Sequence, residues 1–417
     1  MSRREMRGGR DEEGTGPKVG SALGRSDPAR IGPYQLLGRL GSGGMGKVYL
    51  GRSRTGQLAA VKVLHDQLAE DQEFRRRFER ELHAASRVSG RFTAAVLESS
   101  RGIDERLWMA TEYVPGPSLS QAVSAFGPLD PTTLLALWLG LLGALESIHA
   151  AGIVHRDLKP SNVLLAEDGP RLIDFGVSVL GGATTLTATG VVIGTPGYMS
   201  PEEVQGHRSG PHSDVFALAC TLTYAATGSA PFEGANPMGV MYRVIHDEPD
   251  LSRVPDRIAS LIRPCLDKDP QSRPSVTELI NMLPAAETDE VSRLLAHGKW
   301  LPEAIRRRTR EHAVTVFEWD GARRDSLAAA RPVHPGDSEC DPEPPTVPQG
   351  SVTTPPNGSP PNPPGSYGTG GPDPGPDPTN EASLRTHTVP LPADMPPLPR
   401  IPRRTWLRWL PARRGTR

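Results

Sequence analysis

Apolar and polar positions alternate along Tyr34–Val63 in runs broken by glycines, which predicts an antiparallel meander. It reads as a strand, a glycine turn, a second strand around Tyr49 and, after Gly56, a third strand at Leu58–Leu64. From Glu70 to Val88 the chain is charged, carries Ala and Leu, and holds no Gly or Pro, which predicts a helix. Leu107–Val114 reads as another strand, stopped by Pro115-Gly116-Pro117. Helical periodicity then dominates, over Thr132–His149 and again over Asp214–Thr227. The expected class is α+β: a small antiparallel lobe with one main helix, then a larger helical lobe.

Composition trims the folding part. Between Arg331 and Arg400, 21 of 70 residues are Pro, so this stretch cannot offset its ordering entropy by burial and is expected to be disordered. The expected organisation is a disordered N-terminal segment at 1–30 and a folded domain at 31–286. That domain divides into a first lobe at about 31–114 and a second at about 117–286. A partly helical linker at 287–330, the Pro-rich region at 331–399 and a basic tail at 400–417 follow. Helical patches inside the linker are Arg293–Ala296 and Glu303–Ala313.

A formal net charge of −1 gives no argument for nucleic-acid binding, and none is expected. Three scattered cysteines (Cys220, Cys265, Cys340) form no metal spacing and fit a reducing cytosol. Met1–Arg30 has no apolar core and is not read as a signal peptide. The longest apolar run, Leu134–Leu145, has 12 residues against the roughly 20 that cross a bilayer, and a buried core helix explains it better. These readings place the chain in the cytoplasm.

The candidate chemistry begins at Leu40-Gly-Ser-Gly-Gly-Met-Gly-Lys-Val48. As Gly41-x-x-x-x-Gly46-Lys47 it falls one residue short of a P-loop, because Val48 offers no oxygen where Ser or Thr would hold Mg²⁺. As Gly41-x-Gly43-x-x-Gly46-x-Val48 it is a glycine loop that lies over phosphates from a hairpin. A hairpin that uses its glycines for tight geometry alone is the plain alternative. The chain holds 41 Arg and only 6 Lys, so a Lys at a motif position carries extra information. Lys62, on the third strand, can hold phosphates as a point charge, and an acid is needed to fix it. Glu81 is the candidate, with Glu79 and Glu73 as rivals.

His155-Arg-Asp-Leu-Lys-Pro-Ser-Asn162 is the most specific segment. It groups a carboxylate (Asp157), an ammonium (Lys159) and an amide (Asn162) on a Pro-kinked loop, as phosphoryl transfer requires. Twelve residues on, Asp174-Phe-Gly176 follows the apolar strand Arg171–Ile173 and offers a Mg²⁺ ligand.

On these motifs the chain resembles the eukaryotic-like Ser/Thr protein kinases of bacteria over about Ile31 to Leu283. The resemblance implies the bilobal protein-kinase fold, ATP and Mg²⁺ (with Mn²⁺ as the alternative ion) as cofactors, and transfer of the γ-phosphoryl group to Ser/Thr hydroxyls of protein substrates. It assigns Leu40, Gly41, Gly43 and Gly46 to the loop over the phosphates, and Val48, Ala60 and Leu164 to the faces of adenine. Thr111 falls at the gatekeeper position, and Glu112 to Val114 at the hinge. Lys62 and Glu81 match the ion pair of the active state. Asp157 matches the catalytic Asp, Lys159 its γ-phosphate partner, and Asn162 and Asp174 the metal ligands. Lys47 then takes a variable, solvent-facing position. Thr195 is expected to hydrogen-bond near Asp157 and Lys159, Glu202 to pair with Arg273, and Asp214 to support the catalytic loop.

Thr187 and Thr189 are the expected sites of autophosphorylation, with Arg156 as the cation for the added phosphate. A homodimer for phosphorylation in trans is the implied assembly. Two other classes compete: a pseudokinase scaffold, disfavoured because Lys62, Asp157, Asn162 and Asp174 are all present, and a small-molecule kinase, disfavoured by Lys159 and the Thr195–Glu202 segment. The last eighteen residues hold seven Arg, two Trp and no acid, which suits an anionic membrane surface or equally a solvated terminus.

Overall fold

The computed structural model describes residues 20–100, 106–175 and 195–329. Thr187 and Thr189, the Pro-rich region and the basic tail lie outside the described residues.

Six strands make one antiparallel sheet in the order β1-β2-β3-β4-β6-β5. They are β1 (Arg30–Ile31), β2 (Tyr34–Gly43), β3 (Gly46–Arg52), β4 (Leu58–Leu64), β5 (Val96–Ser99) and β6 (Trp108–Glu112). The predicted meander is β2–β3–β4. Register sets Val48 opposite Lys62, Lys62 opposite Met109 and Ala60 opposite Thr111. Residues directly opposite share a face, so these side chains all project from one side of the sheet. The other side carries Leu36, Tyr49, Val61, Trp108 and Ala110, a buried cluster of its own.

Helices α1 (Asp66–Ala69) and α2 (Gln72–Ala85) follow β4. Asp71 starts α2 by accepting the Glu73 and Phe74 N–H groups, a side-chain N-cap. Phe74, Phe78, Leu82 and Ala85 recur every three to four residues and bury one stripe of the helix; the first three pack with Leu64, Leu107 and Met109. Strand β5 was not foreseen. It is four residues long, with a register shift between Val96 and Glu98, too short for alternation to show.

The second lobe runs α3 (Leu119–Phe126), α4 (Pro131–Ala150), β7 (Val163–Ala166), β8 (Gly169–Leu172), α5 (Pro201–Val204), α6 (Pro211–Thr227), α7 (Pro237–His246), α8 (Asp256–Ile262) and α9 (Val276–Asn281). The apolar run lies in α4, which is long and apolar enough to cross a membrane by length and composition. Its side chains are buried on nearly every face against α6, α9 and β8, the signature of a central core helix.

Described residues on both sides of the expected 31–286 domain pack onto it. In the segment read as a partly helical linker, α10 (Ala285–Ala296) and α11 (Glu303–Ala329) form, and Val291, Leu295, Trp300, Leu301 and Ile305 join the core of the second lobe. Thr133 donates to the Trp300 carbonyl (3.1 Å) and Trp300 Nε1 donates to the Ala166 carbonyl (3.0 Å), so the indole also satisfies the edge of β7. Part of the N-terminal segment is also ordered. The Asp27 side chain has no exposed surface and accepts from Arg39 Nη2, from Tyr49 Oη (2.9 Å) and from Lys47 Nζ (3.1 Å). The Arg39 hydrogen bond, helped by the Gly24 N–H, holds this carboxyl well below the usual carboxylate range. Lys47, read as solvent-facing, is half-exposed and paired with Asp27. Composition concealed both, because a single acid in a polar, Gly-rich stretch carries no periodicity.

Glu202 and Arg273 form the expected pair, with two N–H···O bonds of 2.8 Å each. The Arg273 side chain is wholly buried and also donates to the carbonyls of Asp267 and His212. Burial raises the Glu202 carboxyl, but Arg273 and Ser213 outweigh it and leave the group below its ordinary value. Removing one member strands a buried charge, which costs about 3–5 kcal/mol. Glu202→Ala should therefore lower the unfolding free energy by about that much in urea titration. Adding Arg273→Met to Glu202→Ala should recover most of the loss.

Candidate active site

The two lobes face each other across a cleft of about 1490 Å³. Every residue assigned from sequence to nucleotide, metal or phosphoryl transfer lines it, with the exception of Glu81. The volume exceeds the roughly 300–1,000 Å³ of a single small-molecule pocket. The surplus runs to Thr195, Tyr198 and Arg208, so a second substrate has a path to the same carboxylates.

The roof is the β2–β3 turn. Gly46 has φ 154°, and a Cβ there would lie 2.0 Å from the Val63 carbonyl oxygen, so only glycine fits. At Gly41 and Gly43 a Cβ would meet nothing within 4 Å, which leaves open space beneath the loop for a ligand's phosphates. The back wall is the shared face of Val48, Ala60, Lys62 and Thr111, and Leu164 forms the floor. Past β6 the chain is irregular, and among the described residues no hydrogen bond uses the backbone of the buried Val114. Its N–H and C=O are thus left for a planar ligand with a donor–acceptor edge.

The catalytic loop is held by buried acceptors. Asp214, 1% exposed, accepts the backbone N–H of His155 (2.9 Å) and of Arg156 (2.9 Å) and pairs with His149 Nε2 (2.7 Å). Among the described residues, Arg156 (φ 64°) and Asp174 (φ 61°) are the non-glycine residues in the left-handed region. Such conformations cost of order 1–3 kcal/mol each and persist where surrounding bonds over-determine them. His155 is wholly buried, with Nε2 3.0 Å from the Ile173 carbonyl and Nδ1 accepting the Asp157 N–H (3.2 Å). Burial lowers its pKa, so the ring is neutral: Nε2–H donates and Nδ1 accepts. His155 thereby ties Asp157 to the segment that carries Asp174, a role for which its sequence gave no signal beyond its neighbours.

Asp157 is fixed from two sides: Lys159 Nζ lies 2.8 Å from its carboxylate and Asn162 Nδ2 2.9 Å from Oδ2. Asn162 Nδ2 also donates to the Asp157 carbonyl (2.8 Å), which leaves the amide oxygen free as a hard ligand. Ile173 N–H donates to the Asn162 carbonyl (3.0 Å) and brings the Asn162 and Asp174 segments together. Mg²⁺ is held by one or two carboxylates with phosphates completing its shell, so Asp174 and Asn162 fit it. Among the described residues no group of three or more His, Cys, Asp or Glu side chains could hold a metal alone.

Lys62 and Glu81, which the resemblance matches to the ion pair of the active state, are not paired with each other in this arrangement. Lys62 Nζ is 2.9 Å from Asp174 Oδ2, and Glu81 Oε1 is 3.7 Å from Arg156 Nη1. Glu81 Oε2 is buried without a partner. Burial, only partly opposed by Arg156, pushes this carboxyl up to about 7. Thr195 lines the cleft, but among the described residues it makes no hydrogen bond to Asp157 or Lys159. Lys47 does not line the cleft, whereas Lys62 does.

Residues 34–283 match the family model described as Protein kinase domain. The serine/threonine-protein kinase AfsK of Streptomyces coelicolor is 45% identical over 318 residues, 74% of this chain and 38% of that protein. AfsK of Streptomyces griseus is 51% identical over 251 residues (59% of this chain, 31% of that protein). The probable serine/threonine-protein kinase PkwA of Thermomonospora curvata is 47% identical over 264 residues (63% and 35%). The chain thus spans less than two fifths of the length of these relatives. The first match covers more of the chain than the stretch up to Leu283 could supply, so the likeness continues past the family match. The Mycobacterium tuberculosis PknI kinase domain superposes with a TM-score of 0.49 at 28% identity, over 63% of this chain and 97% of that one. With a family match over residues 34–283, and with Lys62, Asp157, Asn162 and Asp174 gathered on one cleft, the chain belongs to the protein kinase domain family.

Proposed function

We propose that the chain is an ATP- and Mg²⁺-dependent serine/threonine protein kinase that transfers the γ-phosphoryl group to Ser or Thr hydroxyls of proteins. The observation that carries this reading is the convergence of Lys62, Asp157, Lys159, Asn162 and Asp174 on one cleft that also runs out to Thr195 and Tyr198. The serine/threonine names of the relatives agree with it.

Phosphoryl transfer needs positioning and charge neutralisation more than covalent help from the protein. Adenine meets the Val114 backbone between Ala60 and Leu164. Lys62, whose side chain is 15% exposed, exchanges its Asp174 partner for the α- and β-phosphates. Asp174 and Asn162 would hold Mg²⁺, which would supply neutralisation of the phosphate charge. Asp157, already oriented by Lys159 and Asn162, accepts the hydroxyl proton, and Lys159 faces the γ-phosphate.

Glu81 is stranded in the present arrangement, and Arg156 is what holds it there. A phosphate on Thr187 or Thr189 competes for Arg156 and releases Glu81 toward Lys62, which joins loop autophosphorylation to an active ion pair. A cytosolic setting, a transient homodimer for phosphorylation in trans and contact of the basic tail with anionic lipid belong to the same proposal.

In a radiolabelled-ATP assay, Lys62→Met and Asp157→Asn should each lower phosphate incorporation by about 10²-fold or more. Wild type no more active than these variants would sink the kinase reading. Phosphopeptide mapping should find Thr187 and Thr189 modified in wild type and bare in Asp157→Asn expressed alone. Glu81→Gln should lower activity yet raise the melting temperature. A carboxyl whose folded pKa is raised from 4.5 to about 7 costs stability in full above pH 7, and the cost fades as pH falls toward 4.5. With its side chain 22% exposed, screening reduces the cost to about 1 kcal/mol, or roughly 2–4 °C at pH 8. Differential scanning calorimetry should show that gain shrinking on acidification.

A further inference from the structure

Helix α11 lies outside the family match, yet it touches both lobes. Thr309, His312 and Val316 are spaced three and four apart and so share one face of the helix. Thr309 Oγ1 donates to the Leu165 carbonyl in the second lobe (3.0 Å). Val316, 2% exposed, packs with Leu37 and Leu50 of the sheet, beside Leu40 and Tyr113. Seven residues of helix cover about 10 Å, so this face crosses the hinge from one lobe to the other. His312 sits between the two anchors.

His312 is 6% exposed, and it lines the nucleotide cleft. Its Nε2 is buried with no hydrogen-bond partner. Burial, with the nearby Arg308 charge adding to it, brings His312 down to about 4, against the backbone of Gly116 and the charge of Glu311. The ring is therefore neutral near pH 7. An unmatched buried ring nitrogen costs about 1–3 kcal/mol, a cost that a ligand at the cleft would remove.

The position of the ring identifies the ligand group. In the reading proposed above, on which this inference rests, the base lies at Val114 and the phosphates lie at Lys62 and Asp174. The sugar falls between them, against the chain that has just left the hinge. Gly116, whose backbone faces His312, is that chain. A sugar hydroxyl can donate or accept, so it matches a neutral imidazole nitrogen in either tautomer.

We propose that His312 is a nucleotide-contacting residue whose Nε2 hydrogen-bonds a hydroxyl of the nucleotide's sugar, so that the helix after the kinase domain completes the nucleotide site. Thr309 and Val316 are the anchors that hold the ring in place. The site consequently prefers ribonucleotides to sugar-deoxygenated analogues, and nucleotide binding adds to the attachment of α11 across the hinge.

The test is calorimetric titration of the full chain with ATP and with 2′,3′-dideoxy-ATP, both with Mg²⁺. Wild type should bind ATP roughly 3- to 10-fold more tightly than the dideoxy analogue. His312→Ala and His312→Phe should lose that preference by weakening ATP alone. His312→Gln, whose amide can replace the nitrogen, should keep most of it. His312→Phe retains the ring volume, so it serves if the alanine variant does not fold. The proposal fails if wild type shows no preference, if the Phe variant keeps it, or if Phe and Ala weaken both nucleotides alike, since a mere wall would do that. Wild type binding neither nucleotide would overturn the kinase reading itself, and this proposal with it.

Discussion

A lysine ammonium set into the cleft of a folded protein must face a negative charge, because removing it from water without one costs several kcal/mol. Lys62 is placed by strand register on the cleft face of the sheet, and the chain answers it with Asp174, 112 residues away, at 2.9 Å. That single demand joins the two lobes electrostatically. It also leaves the site receptive, because a polyphosphate with a divalent cation would satisfy both partners at once, with phosphate oxygens for Lys62 and the cation for Asp174. The same pairing explains why Glu81 is left aside. With Lys62 already matched, Glu81 pairs among the described residues with Arg156 at 3.7 Å, and one of its oxygens stays buried and unbonded. Stability is given up at Glu81, whose buried oxygen lacks a hydrogen bond.

The catalytic loop depends on a second, complementary constraint. A turn that carries Arg156 in the left-handed region persists only if its N–H groups have firm acceptors, and Asp214 supplies both from inside the second lobe. Because α6 holds Asp214 and also packs on the apolar α4, the geometry of Asp157 is set by the hydrophobic core rather than by the loop's own sequence. Glu202 and Arg273 fasten the region past the loop to the far end of the same lobe. Rigid scaffolding beneath a polar cleft is what positioning catalysis asks of a protein. Trp300 and α11 enlarge that scaffold beyond the family match, and carry it across the hinge to the sheet.

Much of this was legible in the chain. Periodicity located β2 to β4, α2, α4 and α6 to within a few residues, since each buries a stripe or alternates over a length that exceeds chance. The chemistry of the loop residues was legible for another reason: phosphoryl transfer needs a carboxylate, an ammonium and an amide within a short loop, and few sequences group them so. The Glu202–Arg273 and Asp214 contacts, carried over from resemblance, also stand in the structure. Less was readable where order comes from single contacts. Asp27 in a polar segment and the bulged β5 show no period, and after Leu283 only helical patches were readable, not their packing. Their places follow from Arg39 and Tyr49, from Thr111, and from a tryptophan that caps a strand edge.

The sequence by itself determined which elements form and which chemical groups the cleft contains, because amphipathic spacing and local motifs act over a few residues. Only the tertiary structure decided how the charges are paired: Lys62 with Asp174, Glu81 with Arg156, Lys47 with Asp27. It alone brought His312 to the wall of the cleft. Pairing of buried charges is a competition among groups far apart in the chain. It is settled by distance and desolvation, and no local pattern of residues encodes either.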